Sequence, residues 1–466
     1  MTDYADVIMQ YTNANVPAFD CSLIQNKEAL ALMGFKASGS RLIFDPNVFS
    51  RYVQQCSILI NTKEHGLHIY NHSTGVYEQA NDNNLGKLVY ALMSQINVDN
   101  DVLWTEKRHY EALKAINLGC GFREVQFDSK NIIALKNTAY DLNNFKAIPF
   151  SSDYLCTSCV PVVYDENAKI DKFADFLDQI FLGDKKSIAI LQEIIGYTFV
   201  NHCKAQRAFF FLGSGANGKS VLADIIRSLH GEIACSAIPL SNFDSKFGLE
   251  CMVGKRANIV TETRRSARIS TTQFKTVCCG EQVEVNRKNK QAVTLPVTCK
   301  LIALMNHLPP LDEGGDAIAR RLIILNFKAK FKGLNCDPDI FEKLKPELPA
   351  IFLWAMEGLK RLTKNNFVFT YSEDSERTLT EFLQIVDPVK DFCNESITFA
   401  NSLTEYIPKG EAYKRFCKWA QNKNIPFISD KRFYADLTNV IYERYGIKDS
   451  MLHGVKIFRQ LKFKTK

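Results

Sequence analysis

The chain has 466 residues, 46% of them hydrophobic, and a formal net charge of +7, a size at which a single core stops growing and two or three domains are expected. It contains no apolar run of about eighteen residues or more, and "MTDYADVIMQ" lacks the basic flank and apolar core of a secretory signal; a soluble, cytoplasmic protein that does not engage a membrane is expected. The fourteen cysteines lie in apolar contexts such as "VTCKLIAL", where a thiol acts as a small hydrophobe in a reducing compartment, so disulfides are not expected. The one C-x-x-C, Cys156 and Cys159, has no second pair and supplies only half of a tetrahedral zinc site.

The first 60 residues carry helical pieces such as "NKEALALMGF" broken by "KASGS" and receive no assignment. Residues 61–170 read as an α+β leader domain, because short β-like runs with turn residues between them start near "SILINTKEHGLHIYNHSTGVYEQ" and continue through "NIIALKNTAYDLNN". The segment "DKFADFLDQIFLGDKKSIAILQEIIGYTFVN" predicts two amphipathic helices, with Phe173, Phe176, Leu177 and Ile180 at helical spacing in the first. These helices lead into a block, 171–375, where apolar strands "AFFFL", "ANIVT", "KLIAL" and "RLIIL" alternate with helices and loops. That alternation is the pattern of an α/β fold with a parallel sheet.

Within this block "GSGANGKS" satisfies G-x-x-x-x-G-K-[ST]. Gly213, Ser214, Gly215, Ala216, Asn217 and Gly218 form a loop whose N–H groups can curl around phosphates; Lys219 reaches the β and γ oxygens, and the Ser220 hydroxyl holds Mg²⁺. The loop follows the strand "AFFFL" and opens a helix whose Leu222, Ile225, Ile226 and Leu229 share a face, as this chemistry requires. ATP with Mg²⁺ is the expected ligand. Glu262, closing "NIVTET", is the candidate catalytic carboxylate, and Asn306, closing "KLIALM", the candidate water-orienting or γ-phosphate-sensing amide. Arg320 and Arg321 precede a strand, where one of them could neutralise transition-state charge across a subunit boundary. "VEVNRKNKQAVTL" reads as a hairpin with Val283, Val285, Val293 and Leu295 alternating, and with Arg287, Lys288 and Lys290 at its tip. A cationic tip can follow a sugar-phosphate backbone without reading bases.

Beyond a polar hinge near "TKNNFVFTYSEDSE" lies a basic module, 376–466. Residues 401–466 hold fourteen Lys or Arg against six Asp or Glu, so this end carries +8 while the rest nearly balances; such an end suits a polyanion. Ala412, Tyr413, Phe416, Cys417 and Ala420 share one helical face. Ser429 caps a second helix with Phe433, Leu437, Val440 and Ile441 as its buried stripe, and a basic strand follows. Helix, helix and strand is the order of a winged helix-turn-helix, with Lys431 and Arg432 as the candidate contacts to duplex DNA.

The ordered set "GSGANGKS", "NIVTET", "CCGEQVEVNRKNK", "LIALMNHLP" and "AIARRLIILNF" resembles the superfamily 3 helicases, in the branch of poxvirus primase-helicases and the C-terminal ATPases of phage and plasmid primases. The upstream "NTAYDLNN" and "IGYTFVN" resemble that branch's leader. The likeness implies an AAA+ type core in a ring, usually a homo-hexamer, with ATP at subunit interfaces, Glu262 as catalytic carboxylate, Asn306 as sensor, and a finger from Arg320 or Arg321. It further implies that the hairpin holds one DNA strand in the channel, that movement is 3′ to 5′, and that other replication proteins take part. Where some relatives have two acids, Thr261 precedes Glu262 here, and Arg264, Arg265 and Arg268 follow. The reading most like this chain is a replication initiator helicase of a mobile element such as a phage satellite. The alternatives are a primase-helicase, or an origin-binding ATPase that assembles without translocating.

Overall fold

The computed structural model describes residues 4–13, 27–38, 41–94, 97–98, 101–261, 271–286, 292–308, 318, 320–331, 337–386, 388–402, 404–423, 425 and 428–464. At its centre is a five-stranded sheet of β1 (Ala208–Leu212), β2 (Cys235–Ser236), β3 (Ala257–Val260), β4 (Lys300–Met305) and β5 (Leu322–Asn326), in the order β2-β3-β4-β1-β5. Every pairing is parallel. Side chains alternate between the two faces of a strand, so a strand buried on both sides feeds two cores. Phe209, Phe211, Ile259, Ile302 and Leu304 enter one; Ala208, Phe210, Val260, Leu301 and Ala303 enter the other. The four longer strands are those their apolar runs predict, and β2 is the addition.

The two lead-in helices span Lys172–Phe181 and Lys185–Tyr197. Phe173, Phe176, Leu177 and Ile180 are all buried, as their spacing predicts. The second helix packs on Leu348–Lys364 through Gly196 and Gly358. A Cβ on Gly358 would stand 2.5 Å from the backbone of Gln192, so the two main chains touch and no larger residue fits. Beside this crossing Glu193 is fully buried and fully bonded. It accepts from Arg361 Nε at 2.7 Å, the Thr370 N–H at 2.8 Å and Thr370 Oγ1 at 2.7 Å.

Two cations are buried where β3 and β4 begin. Lys300 donates to the carbonyls of Val200 (2.9 Å) and Thr298 (2.6 Å), and Arg256 to the Phe199 carbonyl (3.1 Å) and Ser158 Oγ (3.2 Å). The Val200 and Phe199 carbonyls follow the second lead-in helix, whose C-terminal end carries partial negative charge that these cations offset. Burial lowers both pKa values from their usual range.

Ahead of the sheet, residues between Val7 and Cys120 share one core. Its centre is the helix Pro46–Cys56, started by Asp45, whose carboxylate accepts from the N–H groups of Asn47 and Val48. The sequence assigned nothing to residues 1–60, yet Asp-Pro at a helix start and apolar residues at 49, 52, 53 and 56 were available signals. The boundary drawn after residue 60 falls inside the strand Leu59–Thr62, which pairs antiparallel with Gly66–Asn71, and that strand with Val76–Gln79. A second small sheet holds Ile132–Leu135, Ala139–Asp141, Lys146–Ile148 and Cys159–Val160. Cys156 is buried there and its thiol is pushed up to about 12 by that burial; among the described residues no three His, Cys, Asp or Glu are grouped to hold a metal.

After Leu348–Lys364 the helix Glu373–Val386 spans the position, 375/376, where the sequence drew its last boundary. Pro388–Ser396, Lys409–Asn422 and Asp430–Tyr445 then enclose Phe392, Phe416, Phe433, Leu437 and Ile441, backed by the strands Ile397–Phe399, Tyr406–Pro408, Ser450–Leu452, Val455–Arg459 and Leu461–Phe463. Ser429 accepts from the Arg432 N–H, and Gly446 ends the last helix in the left-handed region, as the sequence signals require. Val440 is half-buried rather than part of the innermost stripe.

Candidate active site

The phosphate loop leaves β1 and turns through Gly215 (φ 94°), Ala216 (φ 47°) and Gly218 (φ 84°) into the helix Lys219–His230. Gly218 is the N-cap and supplies no side chain, so no side chain covers the first-turn N–H groups and they remain available to an anion. Two glycines are demanded by space. A Cβ on Gly213 would collide with the Asn217 amide and stand 2.7 Å from the Phe327 carbonyl; one on Gly218 would stand 2.7 Å from Ile180 Cγ2. The loop is thus pressed between the first lead-in helix and the residue that follows β5.

Lys219 is 6% exposed. Its Nζ donates to the Gly213 carbonyl at 2.7 Å and to Asn217 Oδ1 at 2.8 Å, and Asn217 Nδ2 donates in turn to the Phe327 carbonyl at 3.2 Å. Burial lowers the lysine pKa. Asn217 is therefore more than a loop residue, since its amide fixes the lysine and ties the loop to β5. Ser214, Ala216 and Ser220 are exposed on the open side.

Strand register brings the neighbouring groups to this loop. Leu212 is level with Met305 and with Asn326, the Gly213 N–H donates to the Met305 carbonyl at 3.1 Å, and the Phe327 N–H to the Leu212 carbonyl at 2.7 Å. Asn306 is hence one residue past the strand end beside Gly213, and it is exposed. Val260 is level with Ala303, so β3 ends on the same edge. Glu262, Arg264, Arg265 and Arg268 lie outside the described residues, as do the tip cations Arg287, Lys288 and Lys290. The hairpin strands themselves are Gln282–Val285 and Val293–Pro296, with Val283 facing Leu295 and Val285 facing Val293. Val283 and Val285 are buried while Glu284 and Thr294 are exposed, the alternation the sequence shows.

Arg320 and Arg321 sit at the opposite end of β5 from the loop, because the Arg321 carbonyl receives the N–H of Ala208 at the start of β1. The two part ways there. Arg321 is 6% exposed and its Nη2 donates to Cys279 Sγ at 3.2 Å, whereas the Arg320 side chain is exposed and its carbonyl accepts from Arg207 Nη1. Sequence could not separate them. In the C-terminal module Lys431 and Arg432 are exposed on the first turn of Asp430–Tyr445, with Arg432 3.5 Å from Asp436.

Two family models match this chain: "D5 N terminal like" over residues 62–182 and "Family of unknown function (DUF5906)" over 211–321, which contains the whole phosphate loop, β2 to β4 and the hairpin. The chain is distantly related to viral proteins named as helicases. It is 22% identical over 343 residues to "Putative helicase 121R" of Invertebrate iridescent virus 3 (65% of this chain, 36% of that protein), and 24% identical over 244 residues to "Putative helicase L207/L206" of Acanthamoeba polyphaga mimivirus (50% and 25%). It also matches the "DNA Primase-polymerase" of Nitratiruptor phage NrS-1 at 24% identity over 141 residues, 30% of this chain and 20% of that one. The chain thus spans between about a fifth and just over a third of the length of these curated relatives. The apo structure of the NrS-1 C-terminal region aligns with a TM-score of 0.43 at 17% identity, covering 66% of this chain and 80% of that one. Among the described residues no helix is long and apolar enough to cross a membrane.

Proposed function

We propose that this protein is an ATP-driven DNA helicase that acts as a ring, and that it serves as the replication initiator of a mobile element. The observation that carries the reading is the phosphate loop. Lys219 is buried at the start of a helix with its N–H groups uncapped, glycines stand where no Cβ fits, and an amide, Asn306, lies beside it by strand register. The distant likeness to viral helicases gives the loop its context.

In this reading the core is of the AAA+ type. Lys219 and the loop N–H groups hold the ATP phosphates, and Ser220 with Glu262 would hold Mg²⁺, which would supply neutralisation of the phosphate charge. Glu262 also receives the proton of the attacking water, and Asn306 orients that water. Arg320, exposed and far from its own loop, reaches the nucleotide of a neighbouring subunit in a homo-hexamer. Arg287, Lys288 and Lys290 hold single-stranded DNA in the channel and draw it 3′ to 5′, while Lys431 and Arg432 present the winged helix to origin duplex. The deciding experiment is ATP hydrolysis with and without single-stranded DNA, with Lys219→Ala as the blank. Stimulation that the substitution abolishes is expected; hydrolysis indifferent to DNA would replace the motor with an assembly switch.

A further inference from the structure

The N-terminal core carries a cleft of about 480 Å³ lined by Asn13, Gln54, Gln55, Phe122 and Arg123 together with residues 57–59 and 120–121. None of the activities discussed so far uses it. Its walls are fixed by backbone pairing: the Asn13 N–H donates to the Cys56 carbonyl at 2.8 Å, the Arg123 N–H to the Asn61 carbonyl at 2.7 Å, and buried Asn61 Nδ2 to the Cys120 carbonyl at 3.0 Å. Phe122 is bridged to Asn61 in parallel, so its backbone is held while the residue is 65% exposed. An exposed ring on a held backbone presents a flat apolar face on which a planar ligand can stack.

The lining discriminates among ligands. It offers no carboxylate or imidazole to a metal, and three amide side chains ill suit an apolar molecule. Amides can donate and accept at once, matching the Watson–Crick edge of a base; an exposed ring offers a stacking face; and Arg123, which no carboxylate pairs with among the described residues, offers a phosphate partner. The volume lies in the range of small-ligand sites, about 300 to 1,000 Å³. We infer that this cleft binds one unstacked nucleotide of single-stranded DNA, with the base on Phe122, its edge toward Gln54, Gln55 and Asn13, and a phosphate on Arg123. The ATPase assignment is not needed for this; only the identity of the strand as DNA rests on the proposed function.

The test uses the full chain and a labelled ten-nucleotide oligothymidylate. Phe122→Trp should bind it like the original chain and show tryptophan quenching above that of the unsubstituted protein. Phe122→Ala should weaken binding about 5- to 150-fold, the range for losing one stacked base, with DNA-free ATP hydrolysis unchanged. Arg123→Ala should lower the logarithmic salt slope by about 0.7. Thymidine monophosphate at the same concentration should quench the indole introduced by Phe122→Trp only weakly, because it lacks the oligomer's contacts elsewhere on the chain; equal quenching would overturn the strand assignment in favour of a free-nucleotide site. Oligonucleotide binding that is insensitive to Phe122→Ala, with no added quenching in the Phe122→Trp variant, refutes the inference. Lys288→Ala separates the two ideas. Loss of DNA-stimulated hydrolysis in that variant beside an unaffected Phe122→Ala leaves the motor standing and removes the cleft, while oligonucleotide quenching of the Phe122→Trp variant beside an unaffected Lys288→Ala does the reverse.

Discussion

Replacing Gly213 by alanine tests whether the phosphate loop is held by packing. The added methyl has nowhere to go: it collides with the Asn217 amide and stands 2.7 Å from the Phe327 carbonyl and 3.0 Å from the Phe327 Cβ. Asn217 must swing away, which breaks its bond to the Phe327 carbonyl and withdraws Oδ1 from Lys219. A buried polar group left unpaired costs about 1–3 kcal/mol, and forcing a methyl into a packed site costs about 1–3 kcal/mol more. If the loop recovers its shape only when nucleotide binds, the sum of about 2–6 kcal/mol is taken from affinity, at least about 30-fold in Kd. Calorimetric titration with a non-hydrolysable ATP analogue reads this directly. The control is Gly215→Ala, whose Cβ meets nothing within 4 Å but whose φ of 94° disfavours alanine, a cost of about 1–2 kcal/mol. The reasoning fails if Gly213→Ala binds within about threefold of the original chain, or more tightly than Gly215→Ala.

Other substitutions separate roles that look alike in the sequence. Arg320→Ala should abolish hydrolysis while leaving ATP-analogue binding and melting temperature unchanged, whereas Arg321→Ala should lower the melting temperature because it strips the partner of Cys279 from a buried site; thermal melts beside single-turnover hydrolysis would show the reverse pattern if the assignment is inverted. Glu193→Ala leaves Arg361 and Thr370 without their shared acceptor and should cost about 1–3 kcal/mol, the scale for unpaired polar groups, because Arg361 is 36% exposed and keeps Gln192 and the Ala189 carbonyl; urea unfolding reads it. Stability should also fall with acid. His202 is held down to about 4 by burial, and buried His230 is shifted in the same direction for the same reason. The unfolded chain therefore binds more protons than the folded one between these values and the ordinary histidine pKa near 6.5. The stabilisation is complete above that upper limit and is lost as pH falls toward 4. Melts from pH 7 to 4 should show a decline that His202→Gln flattens.

Much of the central domain was legible because its signals are local. "GSGANGKS" needs only its own spacing, and four strands announce themselves as runs of Phe, Ile, Leu and Val long enough to bury on both faces. Cys235–Ser236 has two residues and no period to detect, so β2 depends wholly on its pairing with Ala257 and Asn258. The order of the sheet is likewise a matter of long-range register. Lys300 looks in sequence like any charged residue beside a strand; its burial follows from the carbonyls of a helix end a hundred residues earlier. The same holds for Arg320 and Arg321, since only the position of Cys279 decides which one turns inward. Helix Pro46–Cys56 is the different case, where Asp45, Pro46 and the apolar spacing were all present and went unread.

Phe176 and Ile180 pack against Gly218 and Phe327 against Gly213, so among the described residues the loop is held on two flanks. A phosphate chain held there in the proposed reading would meet these packed glycines on one side and a bare flank at the exposed Ser214, Ala216 and Ser220 on the other. Water standing on that bare flank would screen the charges that hydrolysis has to stabilise. In the proposed ring, a neighbouring subunit would be the surface that covers those residues and keeps that water out.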